Sequence, residues 1–374
     1  MLKQNKADRI GLILSGGGAR AAYQVGVLRA IANLLPKDAC NPFHIIAGTS
    51  AGALNAASLA THAHRLRTGV RLLEYVWKHI SSDQIYVSQS SNFLSNASTL
   101  LSMVASKPDN PALALLDNSP LAELLSRVLK LDQIQTNIDK GLLDALSITA
   151  SAYHSGESVS FYQGIKGLQD WEGPHRVGRR SRIQLQHLLA SSAIPILFPA
   201  TKIEGHFYGD GAVRQLAPTS TAIHLGARRV LAIGVSANSA KLPPREEPAE
   251  APSLSQILGH ILNSAFVDTL ENDLEFLRHM NDVLPHVPKR IKNQPGFRQA
   301  INLLEISPTK ELNQMAAEHY DELPKTLSRY IKQDSSGTLL SLVLFEKGFC
   351  TALRQLGYAD AMAKESEIRE FFQD

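Results

Sequence analysis

Cysteine is nearly absent: the 374 residues contain only Cys40 and Cys350. Two cysteines so far apart form neither a disulfide framework nor a metal-ligand cluster. His, Cys, Asp and Glu nowhere recur at ligand spacing, so neither a metal nor a cofactor is expected. Long apolar runs are also lacking. No uncharged stretch is long enough to span a bilayer, and Met1 to Arg9 holds no apolar core of a secretory signal. The expectation is a cytoplasmic protein that meets a membrane, if at all, only peripherally. Charge of one sign is missing too. Lys and Arg number 38 against 35 Asp and Glu, a net +3 at pH 7, too slight a bias to argue for nucleic acid as a partner. No internal repeat is visible. What is present is ordinary for a globular chain, 44% hydrophobic and 20% charged. The length suits one large α/β domain with additions, or two domains.

The most informative stretch runs from Phe43 to Gly52. Its first half, Phe43-His44-Ile45-Ile46-Ala47, reads as a buried strand. Its second half, Gly48-Thr49-Ser50-Ala51-Gly52, matches Gly-x-Ser-x-Gly. The alanine-rich Ala53 to Ala60 reads as a helix. Strand, sharp turn and helix are the setting of a nucleophile elbow, with Ser50 standing clear of the sheet at a helix start. The competing reading is a plain turn of small residues.

Ser50 alone lacks an oxyanion hole, a base and a pocket. Ile10 to Leu14 reads as the first strand, followed by Ser15-Gly16-Gly17-Gly18-Ala19-Arg20 and a helix from about Ala21 to Leu35. A glycine loop between strand and helix offers backbone N–H groups to an anion. Gly16-x-Gly18-x-x-Ala21 also satisfies the loose dinucleotide fingerprint. That reading needs an acid at the end of the next strand, where Thr49 and Ser50 stand. The alternative is an oxyanion hole built from Gly16, Gly17 and Gly18. A close-packed turn is the third.

Further along, Arg67 to Ile80 reads as an amphipathic helix with Leu72, Leu73, Val76 and Ile80 on its apolar face. Ser81 to Pro120 reads as loops with a short helix, either a mobile site cover or a peripheral insertion. A helix follows, ending near Lys130. Ala145 to Tyr153 and Ser158 to Tyr162 read as strands. Trp171 to Arg182, with four arginines, reads as a solvated loop, with anionic lipid head groups as the alternative. Gln184 to Ser192 reads as a helix, and Ala193 to Pro199 as apolar non-helical chain, lining a pocket or filling core. Thr201 to Tyr208 reads as a strand that delivers Asp210 between Gly209 and Gly211; an ordinary Asp-Gly turn competes. Pro218 to Leu225 reads as a helix and Arg229 to Val235 as a strand. A Pro/Glu-rich linker or loop covers 241–252. One long helix is expected from Leu254 to about Met280, then a strand from Ala300 to Ile306, then mainly helix.

Taken together, Gly16-Gly17-Gly18-Ala19-Arg20, Gly48-Thr49-Ser50-Ala51-Gly52 and Asp210-Gly211-Ala212 resemble, in chain order, the motifs of the patatin-like phospholipase family. Ala21 replaces the last glycine of the first motif. Asp117 to Leu121 (Asp-x-x-Pro-Leu) and Ser191 to Pro195 also look like the family, and the C-terminal part looks like the appended region of bacterial members. The resemblance implies a three-layer α/β/α fold with a central, mainly parallel sheet. It implies a catalytic core over 8–240 and a C-terminal region over 253–374 packed on that core, mainly helical with one added strand. It further implies hydrolysis of lipid or phospholipid acyl esters by a Ser50–Asp210 dyad, with Gly16, Gly17, Gly18 and Arg20 at the oxyanion. Arg20 would add positive charge or orient the loop. Two rivals stay open: a Ser–Asp–His triad completed by His224 or His260, and a silent lipid-binding or regulatory module.

Overall fold

The computed structural model describes residues 9–88, 114–237, 254–264, 269–292, 294, 299–328, 331 and 338–373. The linker expected over 241–252, and residues 89–113 of the expected site cover, lie outside the described residues.

In chain order the strands are β1 (Ile10–Leu14), β2 (Ile45–Thr49), β3 (Val87–Ser88), β4 (Leu116–Asp117), β5 (Ala145–Ala152), β6 (Ser158–Gly164), β7 (Trp171–Gly173), β8 (Arg176–Arg180), β9 (Thr201–Ile203), β10 (His206–Asp210), β11 (Arg229–Ile233) and β12 (Asn302–Ile306). The α-helices are α1 (Ala22–Leu34), α2 (Ala51–Thr61), α3 (Leu66–His79), α4 (Ser119–Val128), α5 (Asp132–Asp139), α6 (Leu185–Ser191), α7 (Pro218–His224), α8 (Leu254–Asn263), α9 (Thr269–Val283), α10 (Lys289–Lys292), α11 (Leu312–Glu318), α12 (Lys325–Ser328), α13 (Thr338–Val343), α14 (Lys347–Ala363) and α15 (Glu365–Gln373).

The main sheet runs β12-β11-β1-β2-β5-β6-β8-β7, with the β9–β10 hairpin attached to β5. The strands from β12 to β5 are parallel to one another. The central strands are largely apolar because helices cover both faces: every residue of β1, β2, β5 and β11 is buried. The sheet is mixed and lies between helical layers, the three-layer α/β/α arrangement expected.

On one face α1 is buried almost throughout, and α14 lies across it. At Gly26 a Cβ would stand 2.0 Å from the Arg354 carbonyl, and at Gly357 one would stand 2.1 Å from that of Tyr23. The two helices therefore touch backbone to backbone, which only side-chain-free positions allow. At the sheet edge β12 extends β11 in parallel register, Leu231 opposite Leu304.

Several elements differ from expectation. Trp171 to Arg182 is not a loop: β7 and β8 form a hairpin, and β8 runs parallel to β6. Its arginines hold the edge of the sheet. Arg180 donates to the Gly164, Ile165 and Leu168 carbonyls, and Arg179 pairs with Glu172 at 2.8 Å. Charged edge strands guard against pairing with another chain, and the same charge hid this one from a hydrophobicity reading. Thr201 to Tyr208 is a hairpin rather than one strand, turning at Glu204 (φ 48°) and Gly205 (φ 90°). Two successive positive φ values make the tight turn whose twist suits a hairpin. Asp210 is consequently the last residue of a strand, not part of a following turn. Of the long helix expected from Leu254, Leu254–Asn263 (α8) and Thr269–Val283 (α9) are helical, and 265–268 lie outside the described residues. Helix α5 was not anticipated. On α3 the fully buried stripe is Val70, Leu73 and Trp77, while Val76 is only half-buried.

Candidate active site

Strands β2 and β10 meet end to end along one edge of β5. Thr49, the last residue of β2, pairs with Thr149. Asp210, the last residue of β10, pairs with Ala150, the next position. The two strands run in opposite directions, so both chain ends arrive at one point. There Ser50 Oγ–H donates to Asp210 Oδ2 at 2.6 Å. Both residues are buried.

Ser50 sits at φ 55°, ψ −132° immediately before α2. A non-glycine residue at positive φ costs roughly 1–3 kcal/mol and persists only where its surroundings impose it. Here the Ser50 N–H donates to Ser191 Oγ at 2.9 Å. The Ser191 hydroxyl in turn donates to the Thr149 carbonyl at 2.6 Å. Gln215 holds the same strand ends together, accepting from Thr49 Oγ1 at 2.5 Å and donating to Thr149 Oγ1 at 3.1 Å.

The other Asp210 oxygen, Oδ1, accepts the Ala212 N–H at 2.9 Å. Burial in this setting drives its pKa up to about 7, against the smaller opposing pull of the bonds from Ser50 and Ala212. A carboxyl held there is a far better proton acceptor for a hydroxyl than one at its ordinary value of 3.8.

The loop Gly16 to Gly18 leaves the end of β1 beside the start of α2. At Gly52 a Cβ would stand 2.3 Å from the Leu14 carbonyl and 2.5 Å from that of Ser15. Only glycine lets the first turn of α2 approach the loop this closely. Gly18, at φ 54°, opens a 3-10 turn, Gly18–Ala21, closed by the Arg20 N–H bonding to the Gly17 carbonyl at 3.1 Å. A Cβ on Gly18 would lie 2.0 Å from the Leu342 carbonyl of α13. Arg20 is buried. Its Nε donates to Ser341 Oγ at 2.9 Å and one terminal nitrogen to Asn313 Oδ1 at 2.7 Å. Burial lowers its pKa to about 10, with Glu311 pulling the other way. Its bonds lead into the C-terminal helices, to Ser341 of α13 and Asn313 of α11.

Beside Ser50 opens an apolar slot between α2, α3 and α4, lined in part by Leu54, Trp77, Leu121, Leu125, Phe198 and Phe345, with a free volume of about 60 Å³. Of the segment Ala193 to Pro199, Ile194 and Phe198 line the slot, while the Ala193 carbonyl accepts the Asp210 N–H at 2.8 Å. A chain of amides ties the slot to the glycine loop. Trp77 Nε1 donates to Asn55 Oδ1 at 2.9 Å, Asn55 Nδ2 to Gln24 Oε1 at 2.9 Å, and Gln24 Nε2 to the Ser15 carbonyl at 2.8 Å. The sequence reading missed Gln24, Asn55 and Gln215. The available signal was a lone amide on an otherwise apolar helix face, at Gln24 in α1 and Asn55 in α2.

The histidines weighed for a triad lie elsewhere. His224 stacks on Trp171 with ring centroids 5.1 Å apart, and His260 is exposed. The acid a dinucleotide site would need is missing from the end of β2; Asp38 lies exposed in the loop before that strand. Among the described residues no group of three or more His, Cys, Asp or Glu is placed to hold a metal. No helix among them is long and apolar enough to cross a membrane.

Comparison with known proteins gives three kinds of likeness. The curated proteins "Lysophospholipase nte1" of Aspergillus terreus and "Lysophospholipase NTE1" of Chaetomium globosum are 48% and 44% identical to this chain over 54 residues, 14% of its length. The matched stretch is 3% of each of those proteins. Among solved structures, human GIVD cytosolic phospholipase A2 in complex with methyl gamma-linolenyl fluorophosphonate aligns with a TM-score of 0.47 and 14% identity, over 100% of this chain and 60% of that one. VipD from Legionella pneumophila aligns with a TM-score of 0.40 and 13% identity, over 96% of this chain and 67% of that one. The model of the patatin-like phospholipase family matches residues 12–223. That span is more than half of the chain and takes in the glycine loop, the Ser50 elbow and Asp210, so this chain belongs to the patatin-like phospholipase family.

Proposed function

We propose that this chain hydrolyses acyl esters of lipids or phospholipids by a Ser50–Asp210 dyad. The observation that carries the reading is the 2.6 Å hydrogen bond between Ser50 Oγ and Asp210 Oδ2 inside a water-poor site. Ser50 Oγ attacks the ester carbonyl as its proton passes to Asp210. The tetrahedral oxyanion faces the loop of Gly16, Gly17 and Gly18, whose N–H groups stabilise the charge as it forms. Collapse expels the alcohol, which takes the proton from Asp210. Water then attacks the acyl-enzyme as Asp210 accepts its proton; the bond to Ser50 Oγ breaks, Oγ takes that proton back from Asp210, and the carboxylic acid leaves. The acyl chain lies in the apolar slot, where there is little polar surface to compete for it.

The dyad is favoured over a triad because both Asp210 oxygens already have partners, Ser50 and the Ala212 N–H, neither of which is an imidazole. In a triad the acid would bond to the histidine instead. The ester acted on is a lipid met at a membrane or micelle surface, and the protein works in the cytoplasm with peripheral contact there.

The test is labelling by a serine-directed fluorophosphonate, together with hydrolysis of phospholipids, lysophospholipids, acylglycerols and p-nitrophenyl esters by the pure protein. Labelling at Ser50 with ester turnover is expected. A folded protein that neither labels nor cleaves any of these esters would be a silent binding module.

A further inference from the structure

The wall of the slot has a member from beyond the family match. Leu54, Trp77, Leu121 and Phe198 fall within residues 12–223, whereas Phe345 follows α13. The Phe345 ring stacks on Trp77 with centroids 6.2 Å apart and meets the edge of Tyr86 at 6.4 Å. Its neighbours on both sides are hydrogen-bonded. Tyr86 donates its hydroxyl to the Val343 carbonyl at 2.9 Å. The Ser82 N–H donates to Glu346 Oε1 at 3.2 Å. The Phe345 N–H itself turns back to the Val343 carbonyl at 2.9 Å. The ring itself is buried against Trp77 and Tyr86, so it forms part of the slot's wall.

The free volume in the slot is about 60 Å³. Removing one large side chain from a packed interior opens a cavity on the order of 150 Å³. The single residue at 345 therefore decides more space than the slot now holds. We propose that Phe345 is the specificity-determining residue for the acyl chain, its ring limiting the size of chain that fits beside Ser50. This inference rests on the acyl-ester reading of the site, and it gives the C-terminal region a part in substrate choice.

The chain has two tryptophans, Trp77 in the slot and Trp171, which stacks on Tyr162 away from it. In a Trp171→Phe background, Trp77 fluorescence reports binding without any turnover. Saturated fatty acids from octanoate to palmitate are titrated against that signal, and the matching p-nitrophenyl esters are assayed. Phe345→Ala is expected to move both optima toward chains about two to four carbons longer, following the volume released, and Phe345→Trp to move them shorter. Phe345→Leu replaces the alanine variant, with a smaller lengthening, if circular dichroism finds that variant unfolded. Unchanged rankings in folded Phe345→Ala or Phe345→Leu and in Phe345→Trp overturn the inference, as does a Trp77 signal indifferent to every fatty acid. The two failures are separable. Fatty acids that bind with a shifted optimum while no ester is cleaved sink the hydrolase reading and leave Phe345 as the selector. Esters cleaved with an unshifted ranking do the reverse.

Discussion

Arg20 Nε donates to Ser341 Oγ at 2.9 Å, joining residues 321 positions apart in the chain. Arg20 ends the glycine loop and Ser341 belongs to α13, so this bond couples the glycine loop to the C-terminal region. Ser341 and Asn313 accept hydrogen bonds from this buried guanidinium, and the Glu311 carboxylate favours its charge. Hydrogen bonds to a buried charge are worth about 1.5–3 kcal/mol, more than bonds between neutral groups.

Ser341→Ala and Asn313→Ala are expected to loosen the loop without touching the slot. The turnover number should fall about tenfold, while KM and the fluorescence response of Trp77 stay near their original values. Arg20→Lys should behave similarly, because an ammonium cannot reproduce the fork that reaches both oxygens. Steady-state kinetics on one ester decides. A rise in KM at constant turnover would mean that the coupling does not reach the oxyanion loop.

Asp210 should impose a pH dependence of its own. The base must be ionised to accept the Ser50 proton, so acylation should rise as pH passes through about 7 and level off above. Asp210→Asn should abolish turnover as fully as Ser50→Ala, since the pair acts as a unit. Single-turnover acylation measured across pH is the check; a flat profile would exclude Asp210 as the base.

Stability should respond in the opposite sense. Folding raises the Asp210 pKa from 3.8 to about 7, so the folded protein holds this proton more readily than the unfolded chain. Its contribution favours folding at low pH and is lost as pH climbs from the unfolded value through about 7. Asp210→Asn escapes that loss. Its stability relative to the parent should improve between acid and mildly alkaline pH, by at most on the order of 4 kcal/mol. Denaturant midpoints of both proteins across this range measure it.

Gly17 and Gly18 should both resist substitution. At Gly17 a Cβ would stand 2.5 Å from a methyl of the buried Val235, which must shift to admit it. Gly17→Val should therefore lower the melting temperature and cost about a hundredfold or more in turnover, the usual scale for a spoiled oxyanion donor. At Gly18 the obstacle is the Leu342 backbone carbonyl, which cannot give way. Gly18→Ala should lower the melting temperature as well as the activity. Thermal unfolding and esterase assay of both variants separate the effects.

Histidine and metal should prove dispensable. Replacing His206, His224, His260 or His279 singly by alanine should leave most esterase activity, and chelators should leave it intact. A folded histidine variant as inactive as Ser50→Ala would restore the triad, and calcium rescue of a chelated enzyme would overturn the present mechanism.

Local chemistry made the parallel part of the sheet legible. Strands β1, β2 and β11 are largely apolar because both their faces are covered, and glycines punctuate them where the chain turns sharply. The elbow at Ser50 and the glycine loop could be named from such short patterns. The β7–β8 edge strands could not, because arginines serving a sheet edge look like solvated chain. The two ends of the Thr201–Asp210 hairpin were equally hidden, since Glu204 carries no outward sign that its φ is positive.

The sequence by itself thus determined which residues could act: a serine at a strained turn, an acid between glycines, and a loop of free N–H groups. It also determined a C-terminal region rich in helix. Tertiary structure alone decided that β2 and β10 abut along β5, which turns a separation of 160 residues into a 2.6 Å hydrogen bond. It also decided the pKa of Asp210, which depends on burial by the whole fold, and the placement of Phe345 and Ser341 against the slot and loop. Motifs record the backbone conformations a short segment must adopt. Distances between segments and the exclusion of water arise from packing among residues far apart in the chain, and no local pattern encodes them.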